Sequence, residues 1–408
     1  MKRVLLSAFA CMPNHGSELG NGWNWAIGLA NQGFEVHCIT RGVGKDIIEA
    51  IELPENLIFH YVSLPLGLEK FYSLSIPTMY VHYLLWQWLA YKLALKLNRS
   101  KIFDVAHHVS WGSLQLGSFM YKLNIPFYFG PAGGGQKSPE SFKNYFGSSW
   151  SVEKKREKIS KLLLKYNPAC RKMLNKANSI WVSNPDTGEL IQKQGAKNYH
   201  YTLDAALPLD FFPENFIPKK ISTNGLKLLW VGRLMPRKGI MLVLDVMENL
   251  KKYSNITLTV VGDGEQKDEF INAIKNKGLL ETVNWKGTVP FEQVKEFYQN
   301  HDVFFFTSLR DSCPAQLIEA MAYGMPIVTL NLHGQAIIVN DETGYRTEVT
   351  TPQNTIIGLK NSILKLYNNP EEVAKMSNAA YEFALQQTWS NKIKNITNES
   401  YNVFSSTN

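Results

Sequence analysis

The sequence predicts an α/β protein of two Rossmann-like domains, each built on a parallel sheet. Its 408 residues are enough for two domains with full cores. The stretch from Val303 to Leu330 has the pattern strand, helix, strand, with apolar runs at 303–306 and 326–330 around a helical segment. A proline-rich, poorly periodic segment around 203–220 separates this half from the first and predicts a domain boundary there.

The composition is that of an ordinary globular protein, with 45% hydrophobic and 19% charged residues. No C-x-x-C pair occurs, so neither a disulfide framework nor a zinc site is indicated. A reduced, cytoplasmic setting is expected. The four cysteines are Cys11, Cys38, Cys170 and Cys313.

Two apolar stretches resemble targeting or membrane segments. The start, MKRVLLSAFAC, is too short for a signal sequence, and a first strand at Lys2–Ala10 explains it better. Met79–Leu97 approaches the length of a membrane span, but His82, Gln87 and lysines interrupt it. A buried or half-buried helix packed on a sheet is therefore expected.

Residues 151–180 are strongly basic, with nine Lys or Arg against Glu153 and Glu157, a net charge of +7. Interleaved apolar residues predict an amphipathic basic helix. Such a helix suits an anionic membrane surface or forms a solvated face of a soluble protein, and both interpretations stay open. No recognition motif for nucleic acid accompanies the charge, so none is expected as a partner.

Three loops in the first half follow predicted strands. The loop 11–22 is glycine-rich and precedes a predicted helix from Trp23 to Gln32, so its backbone can approach a ligand closely. A strand ends at His107-His108, where a histidine is either a satisfied core residue or a ligand contact. The glycine loop 131–135 is either a plain turn or a second ligand-facing loop.

The second half opens with cations at the end of a strand, in Gly232–Gly239. A guanidinium and an ammonium beside glycines suit a phosphate group, and the candidates are Arg233 and Lys238. Structural ion pairing is the alternative for both. Arg237 is interpreted as a solvated surface charge.

Two acids, Asp311 and Glu319, lie around the start of the helix in the strand–helix–strand stretch, with seven residues between them. Pro314 is expected at the first helical position, and the free N–H groups at the helix start, around Pro314 to Gln316, favour an anion such as a diphosphate. The alternatives are a loop cap for Asp311 and an exposed helix acid for Glu319.

This acid-x7-acid spacing, together with EAMAYGMPIV from Glu319, resembles the signature of the retaining glycosyltransferases of family 4. The GRL…KG element at 232–239 is similar to that family's diphosphate-binding element. GSELGNGWNWA, from Gly16, resembles the first loop of a subgroup that acts on bacterial surface polysaccharides. The family's usual first acid is glutamate, so Asp311, one methylene shorter, alters the reach toward the donor sugar.

The resemblance implies the GT-B fold, in which two Rossmann-like domains face a central cleft and a C-terminal helix crosses back to the first. The implied domains are an acceptor-side domain at 1–205, a nucleotide-sugar domain at 206–385 and the returning helix at 386–408. The resemblance further implies roles for particular residues. The catalytic group is Asp311, His108, Arg233 and Lys238. The donor-binding group is Gly16, Gly232, Val289, Ser312, Cys313, Pro314, Ala315, Gln316 and Glu319, and the acceptor side of the cleft holds Ser17, Glu18, Gly133 and Gly134.

The function so implied is a retaining, hexosyltransferase-type enzyme. It would move a sugar from a UDP- or GDP-sugar to a glycan or lipid-linked glycan in bacterial surface polysaccharide synthesis, in the cytoplasm or on the inner face of the cytoplasmic membrane. No metal or other cofactor is expected, because cations are present for the diphosphate and no DxD triplet offers a metal site. A sugar-nucleotide epimerase or hydrolase of the same fold, and a non-catalytic nucleotide-sugar-binding protein, are the alternatives.

Overall fold

The computed structural model describes residues 1–222 and 225–401, apart from the side chains of Ser17 and Ile76, and they form two compact units. Among the described residues, unit 1 comprises 1–135, 158–205 and 389–401, and unit 2 comprises 136–157 and those of 206–388. The prediction assigned 136–157 to the first domain and is wrong for this segment. Its side chains hydrogen-bond and form ion pairs within unit 2, which sequence proximity does not reveal.

Unit 1 is built on a seven-stranded sheet in which all pairs are parallel, in the order β3-β2-β1-β4-β5-β6-β7. Its central strands are buried along their whole length, as a parallel sheet covered on both faces requires. The strands are β1 (Arg3–Ala8), β2 (Glu35–Arg41), β3 (Leu57–Val62), β4 (Val105–Ser110), β5 (Phe127–Ala132), β6 (Ser179–Val182) and β7 (Tyr199–Tyr201).

The helices of the first half are α1 (Ser17–Asn31), α2 (Lys45–Glu49), α3 (Phe71–Leu74), α4 (Ile76–Ser100), α5 (Ser149–Tyr166), α6 (Pro168–Lys176) and α7 (Pro185–Lys193). Helix α1 begins at Ser17 rather than at the predicted Trp23. The glycines in the first turns of α1 disfavour a helix in isolation, but they allow α1 to approach the preceding backbone closely. A Cβ on Gly22 would lie 2.0 Å from the carbonyl oxygen of Ala10.

Helix α4 covers the predicted apolar stretch. Ser75 caps it in a reciprocal capping box with Thr78. Trp86, Ala90 and Ala94, spaced by one helical turn, are buried in the core of unit 1. Among the described residues, no helix has the length and apolarity needed to cross a membrane.

Unit 2 is built on a six-stranded parallel sheet in the order β10-β9-β8-β11-β12-β13. Its strands are β8 (Leu226–Val231), β9 (Ile256–Val261), β10 (Val283–Trp285), β11 (Val303–Phe306), β12 (Ile327–Leu330) and β13 (Gly344–Thr347). Its helices are α8 (Ile240–Asn249), α9 (Lys267–Asn276), α10 (Phe291–Asn300), α11 (Ala315–Ala322), α12 (His333–Ile338), α13 (Pro352–Asn368) and α14 (Pro370–Gln386).

The last helix, α15 (Trp389–Ile396), belongs to unit 1 and packs on α1. Gly28 of α1 makes room for it, because a Cβ there would lie 2.2 Å from the Cδ1 atom of Ile393. The π-helical turn that follows ends at Tyr401, whose hydroxyl lies 2.6 Å from Nδ1 of His107 on β4. The predicted return of the final helix to the first domain is confirmed.

Candidate active site

Two loops of unit 2 meet at the carboxyl ends of the neighbouring strands β8 and β11. Several hydrogen bonds tie the loop after β11 to the turn after β8, and three of them involve backbone carbonyls of that turn at 3.0 Å or less. The Thr307 hydroxyl donates to the Gly239 carbonyl at 3.0 Å, the Ser308 hydroxyl donates to the Arg237 carbonyl at 3.0 Å, and the Leu309 amide donates to the same carbonyl at 2.8 Å. Ligands of open α/β sheets bind at this end of the strands.

Asp311 is the centre of a cluster of charged and polar side chains at this edge. Its Oδ2 atom accepts a short hydrogen bond from the Lys238 ammonium and another at 3.3 Å from the Ser308 hydroxyl. The Nη1 atom of Arg237 lies 3.6 Å from the same oxygen. The structure therefore brings the predicted residues Lys238 and Asp311 into direct contact.

Lys238 is buried. Burial lowers the pKa of its ammonium, and the Asp311 carboxylate opposes that shift by favouring the charged form. The ammonium also lies 5.2 Å from the centre of the Phe306 ring, at the end of β11. A desolvated cation held in this way interacts strongly with an incoming anion.

Of the two arginines in the turn after β8, Arg237 differs from the prediction. Arg237 is not a solvated surface charge. It is half-buried, and its Nη1 atom donates to the Arg310 carbonyl at 3.2 Å beside Asp311. Arg233, the predicted phosphate ligand, is exposed on the same turn. Gly239, with φ of +69°, ends the turn in a left-handed conformation directly after the buried Lys238.

Glu319 lies one turn into α11, which begins at Ala315. Pro314 is the N-cap of this helix, whereas the sequence predicted it at the first helical position. The buried Tyr298 of α10 donates its hydroxyl to Oε2 of Glu319 at 2.8 Å. Burial raises the pKa of Glu319, and the hydrogen bond from Tyr298 opposes the shift. Tyr298 was not predicted from the sequence, since nothing in the spacing of α10 indicates which of its residues faces α11.

A buried glutamine holds the Asp311 loop from the opposite side. Gln335 on α12 donates to the Ser308 carbonyl at 2.7 Å and accepts from the Thr329 hydroxyl at 2.7 Å. Gly334 allows α12 to approach, because a Cβ there would lie 2.0 Å from the carbonyl oxygen of Ser312. The backbone of 308–312 is therefore fixed before any ligand binds.

The segment 136–157 completes this loop. Glu153 of α5, which is buried, pairs with Arg310 at 2.7 Å and with Arg156 at 2.8 Å. Gln136 donates to the Ser312 hydroxyl at 3.4 Å. Burial and the nearby arginines lower the pKa of Arg310 to about 10, while Glu153 favours its charged form. The contacts of Glu153 with Arg310 and of Gln136 with Ser312 join positions far apart in the sequence and were not predicted.

The predicted catalytic role of His108 is not supported by its position. The side chain is fully buried, with Nδ1 at 3.0 Å from the Ser7 hydroxyl and Nε2 at 3.2 Å from the Tyr83 hydroxyl. Its ring stacks on Phe129, and burial lowers its pKa to about 4. Both nitrogens are satisfied inside unit 1, so His108 is a neutral core histidine.

The remaining predicted residues of unit 1 lie in two loop regions. Gly16 is the exposed N-cap of α1, and the side chain of Ser17 lies outside the described part of the chain. The exposed Glu18 accepts the Trp111 amide at 2.8 Å. In the glycine loop, Gly133 and Gly134 are half-buried, and the Gly134 carbonyl accepts from Gln115 at 3.3 Å.

The remaining predicted residues of unit 2 lie along the carboxyl edge of its sheet. Gly232 follows β8, and its amide donates to the Val261 carbonyl at 3.0 Å. Val289 lies in the loop after β10, the edge strand of the sheet. Ser312, Cys313, Ala315 and Gln316 are half-buried beside Asp311. Within 1–222 and 225–401, no group of three or more His, Cys, Asp or Glu residues is placed to hold a metal ion.

Comparison with known proteins gives one family match and several relatives. Residues 211–383 match the family described as glycosyl transferases group 1. An uncharacterized glycosyltransferase of Haemophilus influenzae is 30% identical over 179 residues, which cover 43% of this chain and 48% of the relative. The capsular polysaccharide biosynthesis glycosyltransferase CapH of Staphylococcus aureus is 25% identical over 313 residues, covering 74% of this chain and 75% of CapH.

The match to the first of these relatives thus spans about half of that protein. Among solved structures, Anabaena HepE in complex with UDP superposes with a TM-score of 0.64 at 15% identity, over 98% of this chain and 99% of HepE. This likeness shows the fold, and the predicted α/β fold of two Rossmann-like domains is confirmed. The chain has the fold of the GT-B glycosyltransferases, and its residues 211–383 match the group 1 glycosyl transferases.

Proposed function

We propose that this chain is a retaining, hexosyltransferase-type glycosyltransferase. It moves a sugar from a nucleotide-diphosphate sugar to a glycan or lipid-linked glycan acceptor in bacterial surface polysaccharide synthesis. The observation that carries the proposal is the cluster of Lys238, Arg237 and Asp311 at the carboxyl ends of β8 and β11, inside the matched residues 211–383.

The donor diphosphate binds at this cluster. Lys238 and Arg237 are fixed beside the loop and Arg233 is exposed on the same turn, so three cations are available to the phosphates. The amides at the start of α11, around Ala315 and Gln316, add donors at the positive end of a helix. Negative charge concentrates on the diphosphate as it leaves, so these groups bind the transition state more tightly than the ground state.

The two acids recognise hydroxyl groups of the donor. Asp311 binds hydroxyls of the transferred sugar and gives up part of its contact with Lys238 to the incoming phosphate. Glu319, oriented by Tyr298, binds the ribose hydroxyls. A carboxylate accepts two such hydrogen bonds at once, and charge-assisted hydrogen bonds of this kind are the stronger ones.

Transfer with retention proceeds on one face of the sugar. The bond between the anomeric carbon and the diphosphate oxygen breaks while the acceptor hydroxyl oxygen bonds to the same face of that carbon. The leaving phosphate oxygen takes the proton of the acceptor hydroxyl, so no protein nucleophile is required. The cations perform the charge neutralisation that a divalent metal would otherwise supply, and activity should persist in EDTA.

UDP is the favoured nucleotide, because the structural relative HepE binds it. The relationship to CapH favours a polysaccharide acceptor. The basic segment 151–180 supports a location at an anionic membrane surface, the inner face of the cytoplasmic membrane. It carries exposed lysines beside exposed apolar residues that recur on one face of α5, namely Val152, Ile159, Leu162 and Tyr166.

The donor site is tested by thermal unfolding with UDP, GDP and their sugars, without metal. A nucleotide at roughly 100 times its dissociation constant stabilises the folded state by about 2.7 kcal/mol. That corresponds to a rise in melting temperature of about 5–10 °C for a unit of this size. Lys238→Ala should abolish the rise. Lys277→Ala, which removes a lysine paired with Asp245 and Glu248 elsewhere in unit 2, should leave it intact.

A rise that survives Lys238→Ala would place the nucleotide elsewhere and overturn the site. The chemistry is tested by incubating donor with membrane lipid extract and assigning the anomeric configuration of the product by NMR. Retention of the donor configuration and loss of transfer in Asp311→Ala are expected. Release of free sugar at the same rate without acceptor would favour a hydrolase instead.

A further inference from the structure

One face of α4 is exposed along the whole helix. The exposed positions follow at intervals of three or four residues, which places them in one stripe. Val81, Leu85 and Trp88 are 47%, 37% and 43% exposed. The stripe consists of Pro77, Val81, Leu85, Trp88, Lys92, Lys96 and Arg99.

The polarity of α4 is inverted relative to an ordinary surface helix. Its core-facing side buries the polar residues His82 and Gln87, each held by a hydrogen bond, His82 to Glu69 at 2.9 Å and Gln87 to Tyr83 at 2.6 Å. Its outward side presents three apolar residues on successive turns. A single exposed apolar residue needs no explanation, but an exposed apolar stripe marks a binding surface.

The second half of the stripe is positively charged. No acid occurs in α4, and its C-terminal half exposes Lys92, Lys96 and Arg99. A short 3-10 helix, Phe119–Lys122, contacts α4. The ammonium of Lys122 lies 5.8 Å from the centre of the Trp88 ring. The same segment contacts α6, which exposes Arg171, Lys172 and Lys176. The apolar half of the stripe is therefore bordered by basic residues.

We infer that this face of α4 docks on an anionic lipid bilayer. Val81 to Trp88 span about 10 Å along the helix, and Lys92 to Arg99 span about the same length. The first half reaches the boundary between headgroups and acyl chains, where tryptophan is enriched, and the second half lies over the headgroups. Basic residues close to an anionic surface are attracted to it within a Debye length.

A second copy of this chain is the less favourable occupant. Self-association through this face would place the basic side chains of two copies in one interface, with no acid of α4 to pair with them, and like charges across an interface are repelled. An anionic bilayer matches both the apolar and the basic half. The biological purpose, access to a lipid-linked acceptor, rests on the proposed function. Lipid binding itself is measured without turnover, so the two can fail separately.

The test is co-sedimentation of the full chain with vesicles of equal parts phosphatidylglycerol and phosphatidylcholine, and with phosphatidylcholine alone. Lys92→Gln/Lys96→Gln should lower the partition coefficient on anionic vesicles about 30-fold, and Leu85→Ser/Trp88→Ser about tenfold. Ile357→Ser, which removes an equally exposed apolar residue from α13, is the matched control and should bind as the wild type does. Circular dichroism establishes that each variant is folded.

Insertion of the apolar half is measured with brominated acyl chains, which quench tryptophan fluorescence on contact. Wild type should be quenched, and Trp88→Phe, which keeps an apolar ring, should bind equally well but lose most of the quenching. Lys158→Gln/Lys161→Gln on α5 reports the contribution of the other basic segment.

Three outcomes would overturn the inference. The first is wild-type binding in both α4 variants together with loss of binding in the α5 variant. The second is an absence of binding to anionic vesicles by any form of the protein. The third is a wild-type dimer in solution that Leu85→Ser/Trp88→Ser converts to a monomer, which would assign the face to a second copy.

Discussion

The hydrogen bond from Tyr298 to Glu319 provides a direct test of the proposed donor site. Tyr298→Phe removes one hydroxyl group and leaves the ring in place. The hydroxyl is fully buried and donates to Oε2 of Glu319 at 2.8 Å. Burial and the adjacent carboxylate raise the pKa of Tyr298 well above its ordinary value, so it stays a donor throughout the pH range of an assay.

The expected size of the effect follows from the type of hydrogen bond. Net contributions of hydrogen bonds to charged groups are about 1.5–3 kcal/mol. Glu319 is half-buried, so water can replace part of the lost partner, and the lower end applies. We therefore expect the KM for the nucleotide sugar to rise about tenfold in Tyr298→Phe, with kcat changed by less than about threefold, because every 1.4 kcal/mol is a factor of ten.

A matched control is available in the same packing layer. Tyr323 stacks on Tyr298 with ring centres 5.9 Å apart, and its hydroxyl donates to the Phe211 carbonyl at 3.0 Å. Tyr323→Phe removes the same group without touching Glu319. Tyr323→Phe should lose about 1 kcal/mol of stability and Tyr298→Phe about 1.5 kcal/mol, and only Tyr298→Phe should raise the donor KM.

The pH profile gives a second readout that packing alone would not change. The bond from Tyr298 lowers the pKa of Glu319 against the effect of burial, so its loss lets that pKa rise further. The acid limb of donor binding should therefore move to higher pH in Tyr298→Phe. Equal KM values in the two variants, or an unmoved acid limb, would refute the role of Tyr298 as a positioning residue.

Three further predictions concern residues of both units. His108→Asn should lower the melting temperature by about 5–10 °C, because two buried hydrogen bonds are disturbed, and should leave kcat/KM of the folded enzyme within about threefold; a loss of about 100-fold would restore its predicted catalytic role. Glu153→Gln removes the carboxylate paired with Arg310 and should lower kcat/KM about tenfold or more by loosening the loop, whereas Glu157→Gln on the same helix should have little effect in the same assay. Burial raises the pKa of Glu319 above its ordinary 4.5, so the wild type loses stability as the pH rises from 4.5 through the raised pKa. In melting curves across that range, the melting temperature of Glu319→Gln should rise relative to that of the wild type as the pH increases. A difference in melting temperature that stays constant with pH would contradict this.

Periodicity predicted the parts of the fold that depend on local sequence. The apolar runs on either side of α11 identified β11 and β12 to within a residue, because buried parallel strands are continuously apolar. Lys238 and Asp311 follow strands that were predicted separately. Their contact depends on β8 and β11 being neighbours in the sheet, and the sequence of neither strand indicates which strand it pairs with.

The errors have physical causes of the same kind. Arg233 and Arg237 are close in sequence, and which of them faces Asp311 depends on the turn ended by Gly239, not on composition. For His108, the sequence also contains evidence of burial, although the family resemblance implies a catalytic role. A central strand of a parallel sheet is covered on both faces, so both His107 and His108 of β4 are expected to lie in the core. Their partners Ser7, Tyr83 and Tyr401 come from distant parts of the chain.

The membership of residues 136–157 in unit 2 has a consequence for protein engineering. A chimera made to exchange donor specificity between two relatives joins the first half of one protein to the second half of the other. A junction at 205 would combine the Arg310 loop of one parent with the Glu153 helix of the other. A chimera that carries its own 136–157 along with 206–388 keeps the buried ion pair intact, and with it the loop that presents Asp311.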